Sequence, residues 1–202
     1  MGAWVRACGV AVKPRRLQSY APLKEIGSKK TRMLVSLDPH PDTPAKAVTA
    51  IAVEIAREDG VLRLNYRASG RMSDLLVPAP AEFERADELW KETCFEAFVR
   101  GPGDAYCEFN FAPSTRWAAY AFEGYRAGMR NYEVAPLFLE TNVGDDWFEL
   151  TTAVAPGADG VWRVGLSAVI EEMDGTKSYW ALAHARGKPD FHHADAFALE
   201  LA

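Results

Sequence analysis

Residues 92–113 read ETCFEAFVRGPGDAYCEFNFAP, two runs with alternating apolar positions on either side of a Gly-Pro-Gly-Asp turn. A period of two marks a half-buried β-strand, and Gly, Pro and Asp between two such runs mark a hairpin. With the pairing centred on Pro102, Phe95, Ala97 and Val99 share a face with Ala105, Cys107 and Phe109 and form a core layer. The other face sets Cys94, Glu96 and Phe98 against Asn110, Glu108 and Tyr106, so that Glu96 is expected to face Glu108. Like charges directly opposite each other destabilise a sheet. The pair therefore needs a cation, a shared proton or a ligand, which is the first sign of a site.

The same alternation continues outward. In residues 49–70, Ile51, Val53 and Ile55 alternate with smaller or polar residues, and after Glu58-Asp59-Gly60 the residues Leu62, Leu64 and Tyr66 alternate with Arg63, Asn65 and Arg67. A helix opening at Thr43-Pro44 competes for the first half, because Thr caps well and Pro suits the first helical position. The alternation of the second half, however, requires a paired neighbour, so the stretch reads as a hairpin. Further strands follow in RWAAYAFEGYR, PLFLETNV, WFELTTAVA, VWRVGLSAVI, SYWALAHA and AFALELA, with Gly, Pro and Asp between them. Many short strands at close spacing predict an all-β, antiparallel β-sandwich of immunoglobulin-like or jelly-roll-like type, in a single domain.

Composition narrows the function. The 202 residues, 49% hydrophobic and 25% charged, suit one globular domain and exclude a disordered or collagen-like chain. The apolar runs are far shorter than the roughly 20 residues of a membrane-spanning helix. The three cysteines, Cys8, Cys94 and Cys107, are an odd number without C-x-x-C spacing, which argues against a disulfide framework and a zinc site. A reducing, cytoplasmic location is the expectation. A net charge of -5 and a pI near 5.4 lack the cationic field that nucleic acids require. The charge is unevenly spread: residues 1–32 hold eight Lys and Arg against one acid, Glu25. We expect residues 1–32 to be a basic N-terminal extension, disordered or an over-extended start, preceding a domain over 33–202 that opens with MLVSLDPHP.

Familiar catalytic motifs are missing: there is no P-loop, G-x-G-x-x-G, G-x-S-x-G or H-E-x-x-H. A thiol such as Cys94 within a strand, without cationic neighbours, is inert packing. Glu92, Glu96 and Glu108 are more informative. They could act as a glycosidase pair, bind calcium through hard oxygen ligands, or form a solvated face balanced by Arg100, Arg116 or Arg126. Six tryptophans tilt the balance toward a sugar site, since Trp90 and Trp117 bracket the acidic hairpin. Carbohydrate sites combine flat aromatic faces with a few placed polar groups.

Residues 88–129 (ELWKETCFEAFVRGPGDAYCEFNFAPSTRWAAYAFEGYRAGM) and 178–201 (SYWALAHARGKPDFHHADAFALEL) resemble the bacterial DOMON-like proteins, which are related to the family nine carbohydrate-binding modules. The resemblance covers nearly all of residues 33–202. It implies a β-sandwich that binds a sugar or, in other branches, haem. In the carbohydrate-binding relatives a tryptophan lies just before a strand, a glutamate follows six positions on, the next strand offers a polar residue, and an arginine comes soon after. The matching residues are Trp90, Glu96, Glu108 and Arg116, with Asn110, Trp117 and Trp180 completing the candidate set. A second stacking aromatic is implied, for which Trp180 and Phe191 are the candidates. Glutamate at 108, where an amide is common, makes the patch more anionic and raises calcium or a cationic ligand. The haem branches imply axial Met and His, available as Met129 or Met173 with His184, His192 or His193. The reading reached is a non-catalytic binder of a saccharide or similar polar metabolite, with no cofactor expected. Haem b electron transfer is the alternative, and a carboxylate glycoside hydrolase the distant one.

Overall fold

A computed structural model describes residues 31–202. Residues 1–30 of the expected basic extension lie outside the described residues, and Thr31 and Arg32 already belong to the first strand. The alternating segments form twelve strands: β1 (Thr31–Pro39), β2 (Val48–Glu58), β3 (Val61–Gly70), β4 (Cys94–Arg100), β5 (Tyr106–Phe111) and β6 (Trp117–Phe122). They continue with β7 (Arg130–Asn131), β8 (Phe138–Val143), β9 (Trp147–Val154), β10 (Trp162–Glu171), β11 (Lys177–Ala181) and β12 (Leu199–Leu201). The described residues contain no α-helix, only short 3-10 turns at Met72–Asp74, Leu89–Lys91 and Ala194–Ala196.

Every strand pairing is antiparallel, in the order β7-β6-β5-β4-β10-β11-β1-β2-β3-β9-β8, with β12 beside β10. The all-β, antiparallel expectation holds. In place of two separate sheets there is one continuous curled sheet, because β1 pairs with β2 along 31–37 and with β11 at 38–39. The inner faces of its two arms meet across one core. Tyr66 and Phe148 from the β2-β3-β9 arm pack on Phe95 of β4, with ring centroids 5.2 and 5.7 Å apart. No helix forms at Thr43-Pro44. β2 and β3 are joined by Asp59-Gly60, with φ of 50° and 77°, the doubly left-handed turn that matches the twist of a two-residue hairpin.

The second hairpin keeps its expected faces but not its expected partners. Glu96 lies opposite Asn110, and Glu108 lies opposite Phe98, so the two glutamates are diagonal neighbours rather than directly facing. The reversal centres on Gly103, at φ 97°, one residue beyond Pro102, and a slip of two positions changes every partner while leaving every side chain on its face. Phe95, Ala97 and Val99 point into the main core with Cys107, Phe109 and Phe111, whereas Phe98 and Tyr106 join a second, smaller apolar cluster on the outer face.

The two arms are also tied by a polar contact, the Tyr66 hydroxyl donating to the Glu96 carbonyl at 2.7 Å. Tyr66→Phe removes the donor while keeping the ring, leaving a buried acceptor short of a partner. We expect a loss of about 1–3 kcal/mol, read from urea denaturation with an unchanged m-value.

Candidate functional site

The outer face of strands β6, β5, β4, β10 and β11 carries a cavity of about 360 Å³. Its floor consists of Glu96 and Phe98 of β4, Glu108 of β5, Phe122 of β6, Val169 of β10 and Tyr179 of β11. Strand parity puts them there: residues paired side by side, such as Phe98 with Glu108 and Val169 with Tyr179, share a face. Three non-strand segments wall the cavity. They supply Trp90, then Arg126 and Met129, then Pro189, Phe191 and His192. Trp90 sits in a 3-10 turn with its ring edge-on to Tyr120 at 5.8 Å, and the Tyr120 hydroxyl donates to Asp87 at 2.8 Å. The other two segments are clamped together by Asp190, which accepts from Arg126 Nη2 at 2.8 Å, from the Tyr125 hydroxyl at 2.5 Å and from the His192 amide at 3.1 Å.

Two of these segments turn on non-glycine residues with left-handed backbone, Glu88 at φ 63° and Arg126 at φ 51°. Such conformations cost on the order of 1–3 kcal/mol and cluster at ligand clamps.

The two glutamates are the chemical centre. Glu96 is 2% exposed and Glu108 5%. Ser167 Oγ donates to Glu96 Oε2 at 2.9 Å, and Asn110 Nδ2 donates to Glu108 Oε1 at 2.6 Å. Burial first, and the neighbouring Glu108 charge second, push the Glu96 carboxyl up to about 8. Burial likewise raises Glu108 to about 7, against the opposing pull of Asn110 and Arg126. His192 responds in the opposite direction, lowered to about 4 by burial and then by Arg126. Its Nδ1 is 2.7 Å from the Tyr106 hydroxyl and its Nε2 3.7 Å from Glu108 Oε2. The arrangement can accept hydrogen bonds from a polar ligand and cover it with aromatic surface. No group of three or more His, Cys, Asp and Glu side chains suited to a metal ion occurs among the described residues.

No protein-family model matches this chain, and no curated protein matches it in sequence. A solved structure does match. It is a candidate carbohydrate-binding protein from Bacteroides uniformis ATCC 8492, solved at 2.70 Å, with a TM-score of 0.61 at 15% identity over 82% of this chain and 84% of that one. At that identity the likeness concerns the fold.

Of the residues expected from the sequence, Trp90, Glu96 and Glu108 line the cavity together, and so does Phe191, one of the two candidates for a second aromatic. Asn110 is fully buried beneath them as the partner of Glu108. Arg116 is not among the lining residues; its guanidinium pairs with Glu84 at 3.0 Å, and the arginine at the cavity is Arg126. Trp117 and Trp180 are on the inner face, packed with the main core. Trp180 aligns with Ala168, an inner residue of β10, so its neighbour Tyr179 is the β11 residue that reaches the site. Glu92 does not line the cavity. Met129 and His192 share it, while Met173, His184 and His193 lie elsewhere, His184 Nε2 being 2.8 Å from the Asp38 carbonyl. Cys94 is fully buried with its thiol pushed up by burial and by Glu96, the opposite of an activated nucleophile.

A larger hollow of about 1050 Å³ lies among residues 71–80, 141–143 and 172–174. Its charged groups already have partners: Arg71 with Asp74 and Lys46 with Asp174, both at 2.8 Å, and Glu172 with the Lys46 and Ala47 amides.

A carboxyl with a raised folded pKa holds its proton more tightly in the native state, so stability falls as pH rises from ~4.3, the unfolded value, through the folded one. His192 acts at lower pH, its contribution being lost as pH falls from 6.5 through about 4. Above about pH 6.5 His192 is neutral in both states, and the glutamates then set the slope among these three groups. The melting temperature of the ligand-free protein should therefore fall between about pH 6.5 and 8, and Glu96→Gln should flatten that fall. Parallel pH profiles for the two proteins would contradict the assignment.

Proposed function

We propose that this cavity binds a saccharide and does not transform it. The observation that carries the reading is that aromatic side chains from separate segments, Trp90, Tyr179 and Phe191, converge with two buried carboxyl groups on one cavity. Sugars present C–H faces that stack on aromatic rings and hydroxyls that donate to carboxylates. A volume of about 360 Å³ falls in the range of small-molecule sites. The resemblance to DOMON-like proteins and family nine carbohydrate-binding modules supports the same reading, since three of its four pattern residues line the cavity. So does the described role of the Bacteroides protein, a candidate carbohydrate binder. In this reading Trp90 stacks, Glu96 and Glu108 accept from ligand hydroxyls, and Arg126 takes the place that sequence spacing assigned to Arg116. Binding of this kind needs no cofactor.

A glycan array followed by calorimetry tests the proposal. The protein should bind a saccharide that is recovered unchanged after incubation, whereas release of a new reducing end would favour the hydrolase alternative. Glu108→Gln should weaken binding by about 1–3 kcal/mol, with stability equal or higher at pH 8. Trp90→Ala and Arg126→Ala should weaken it too, and Arg116→Ala should leave affinity at the wild-type value. Loss of binding in the Arg116 variant, with Arg126→Ala unaffected, would reverse the assignment of the arginine.

A further inference from the structure

The two buried glutamates are incompletely satisfied. Ser167 occupies Glu96 Oε2 and Asn110 occupies Glu108 Oε1. Neither Glu96 Oε1 nor Glu108 Oε2 receives a hydrogen bond from the described residues, the nearest group to the latter being His192 Nε2 at 3.7 Å. Both side chains are more than nine-tenths buried and line the cavity. The described residues supply little positive charge to offset them. Among the described residues Arg126 is the one guanidinium on the cavity, its Nη2 is bonded to Asp190 at 2.8 Å, and its side chain is half exposed. Two adjacent carboxyl groups therefore face an aromatic-walled space with two oxygens open and, among the described residues, no committed cation.

We infer that the saccharide accepted here carries a free ammonium group, an amino sugar whose nitrogen sits between Glu96 and Glu108. The inference rests on the saccharide reading of this site and names the class of sugar. An ammonium has three donors and no acceptor, which suits two open carboxylate oxygens. A neutral sugar could donate hydroxyls to the same oxygens but would bring no counter-charge for the negative charge that remains on the pair, a costly arrangement in a buried site. Trp90, Tyr179 and Phe191 favour a cation as well, since aromatic faces attract ammonium groups.

The chemistry also predicts a proton count. Without ligand, the close carboxyls retain a proton near neutral pH. The other titratable or charged groups around them are Tyr66 on β3, Cys94 on β4, Tyr106 on β5, Tyr179 on β11, and Arg126, Asp190 and His192 on the covering loops. An arriving ammonium takes the place of that proton, which is released to solvent. A neutral sugar has no such effect.

The experiment is calorimetry at neutral pH in two buffers of different ionisation enthalpy. Glucosamine and galactosamine are compared with glucose and galactose and with the N-acetyl derivatives. The free amines should bind about tenfold or more tightly than their neutral counterparts, with net proton release. Glu96→Gln and Glu108→Gln should each shrink that preference, with melting curves confirming that the variants fold. The proton release of the wild type stands as a separate readout if one variant does not. Neutral sugars bound as tightly as the amines would overturn the inference and leave the saccharide reading standing. A preference that persists in both folded variants would also overturn it, and failure of every sugar to bind would remove both.

Discussion

Burial of β4 on both faces is the constraint from which core and cavity alike follow. Every residue from Cys94 to Val99 is buried. The odd positions, Phe95, Ala97 and Val99, fill the space between the arms of the curled sheet, where burying one large apolar side chain contributes about 1.5–3 kcal/mol. The even positions lie on the other side, which in a simple two-layer protein would be wet. Here Phe98, Tyr106, Phe122, Phe191 and Phe197 form a second apolar cluster there, and the loop segments that complete it are the walls of the cavity. The site is thus a by-product of covering a strand twice.

That covering explains the electrostatics. An even position on β4 must hold something compatible with low dielectric, and Glu96 meets the requirement poorly. A desolvated carboxylate costs several kcal/mol unless it is neutralised or well paired. Ser167 on β10 donates to Glu96 itself, whereas Asn110, the β5 residue opposite Glu96, donates to Glu108 along its own strand. The compensation is partial, and raised carboxyl pKa values are its signature. Perturbed groups of this kind inside a concave, aromatic pocket are where function is expected, because stability by itself would favour an apolar residue at such a position.

The walls show a related trade. Asp190 joins the Tyr125-Arg126 turn to the Phe191-His192 segment through two hydrogen bonds and is itself held by the His192 amide, which offsets a left-handed backbone at Arg126. His192, kept neutral by burial, contributes a polar edge without a charge. Met129 and Arg126 remain exposed at the rim, while Glu96, Phe98 and Glu108 of the floor are buried.

Much of this was legible in the sequence, and the limits have a definite physical origin. Alternation is a local property, so the strands, the Asp59-Gly60 turn and the facing of Glu96 and Glu108 to the same side of their hairpin could be read directly. Side-chain period is two, however, and a register slip of two positions leaves the pattern unchanged. The sequence therefore could not tell whether Glu96 meets Glu108 or Asn110, and the loop centred on Gly103 settled that. Trp117 and Trp180 carried the right chemistry but the wrong parity, which is fixed by pairing with Phe111 and Ala168. Arg126 was legible only as one of three cations that could balance the glutamates, and Tyr179 not at all, because their places on the cavity depend on how the chain turns after β6 and how β10 pairs with β11, contacts between residues distant in the chain. The sequence by itself determined which residues alternate and hence which could share a face. Only the tertiary structure decided which faces meet, because long-range pairing and loop closure depend on many weak contacts made together.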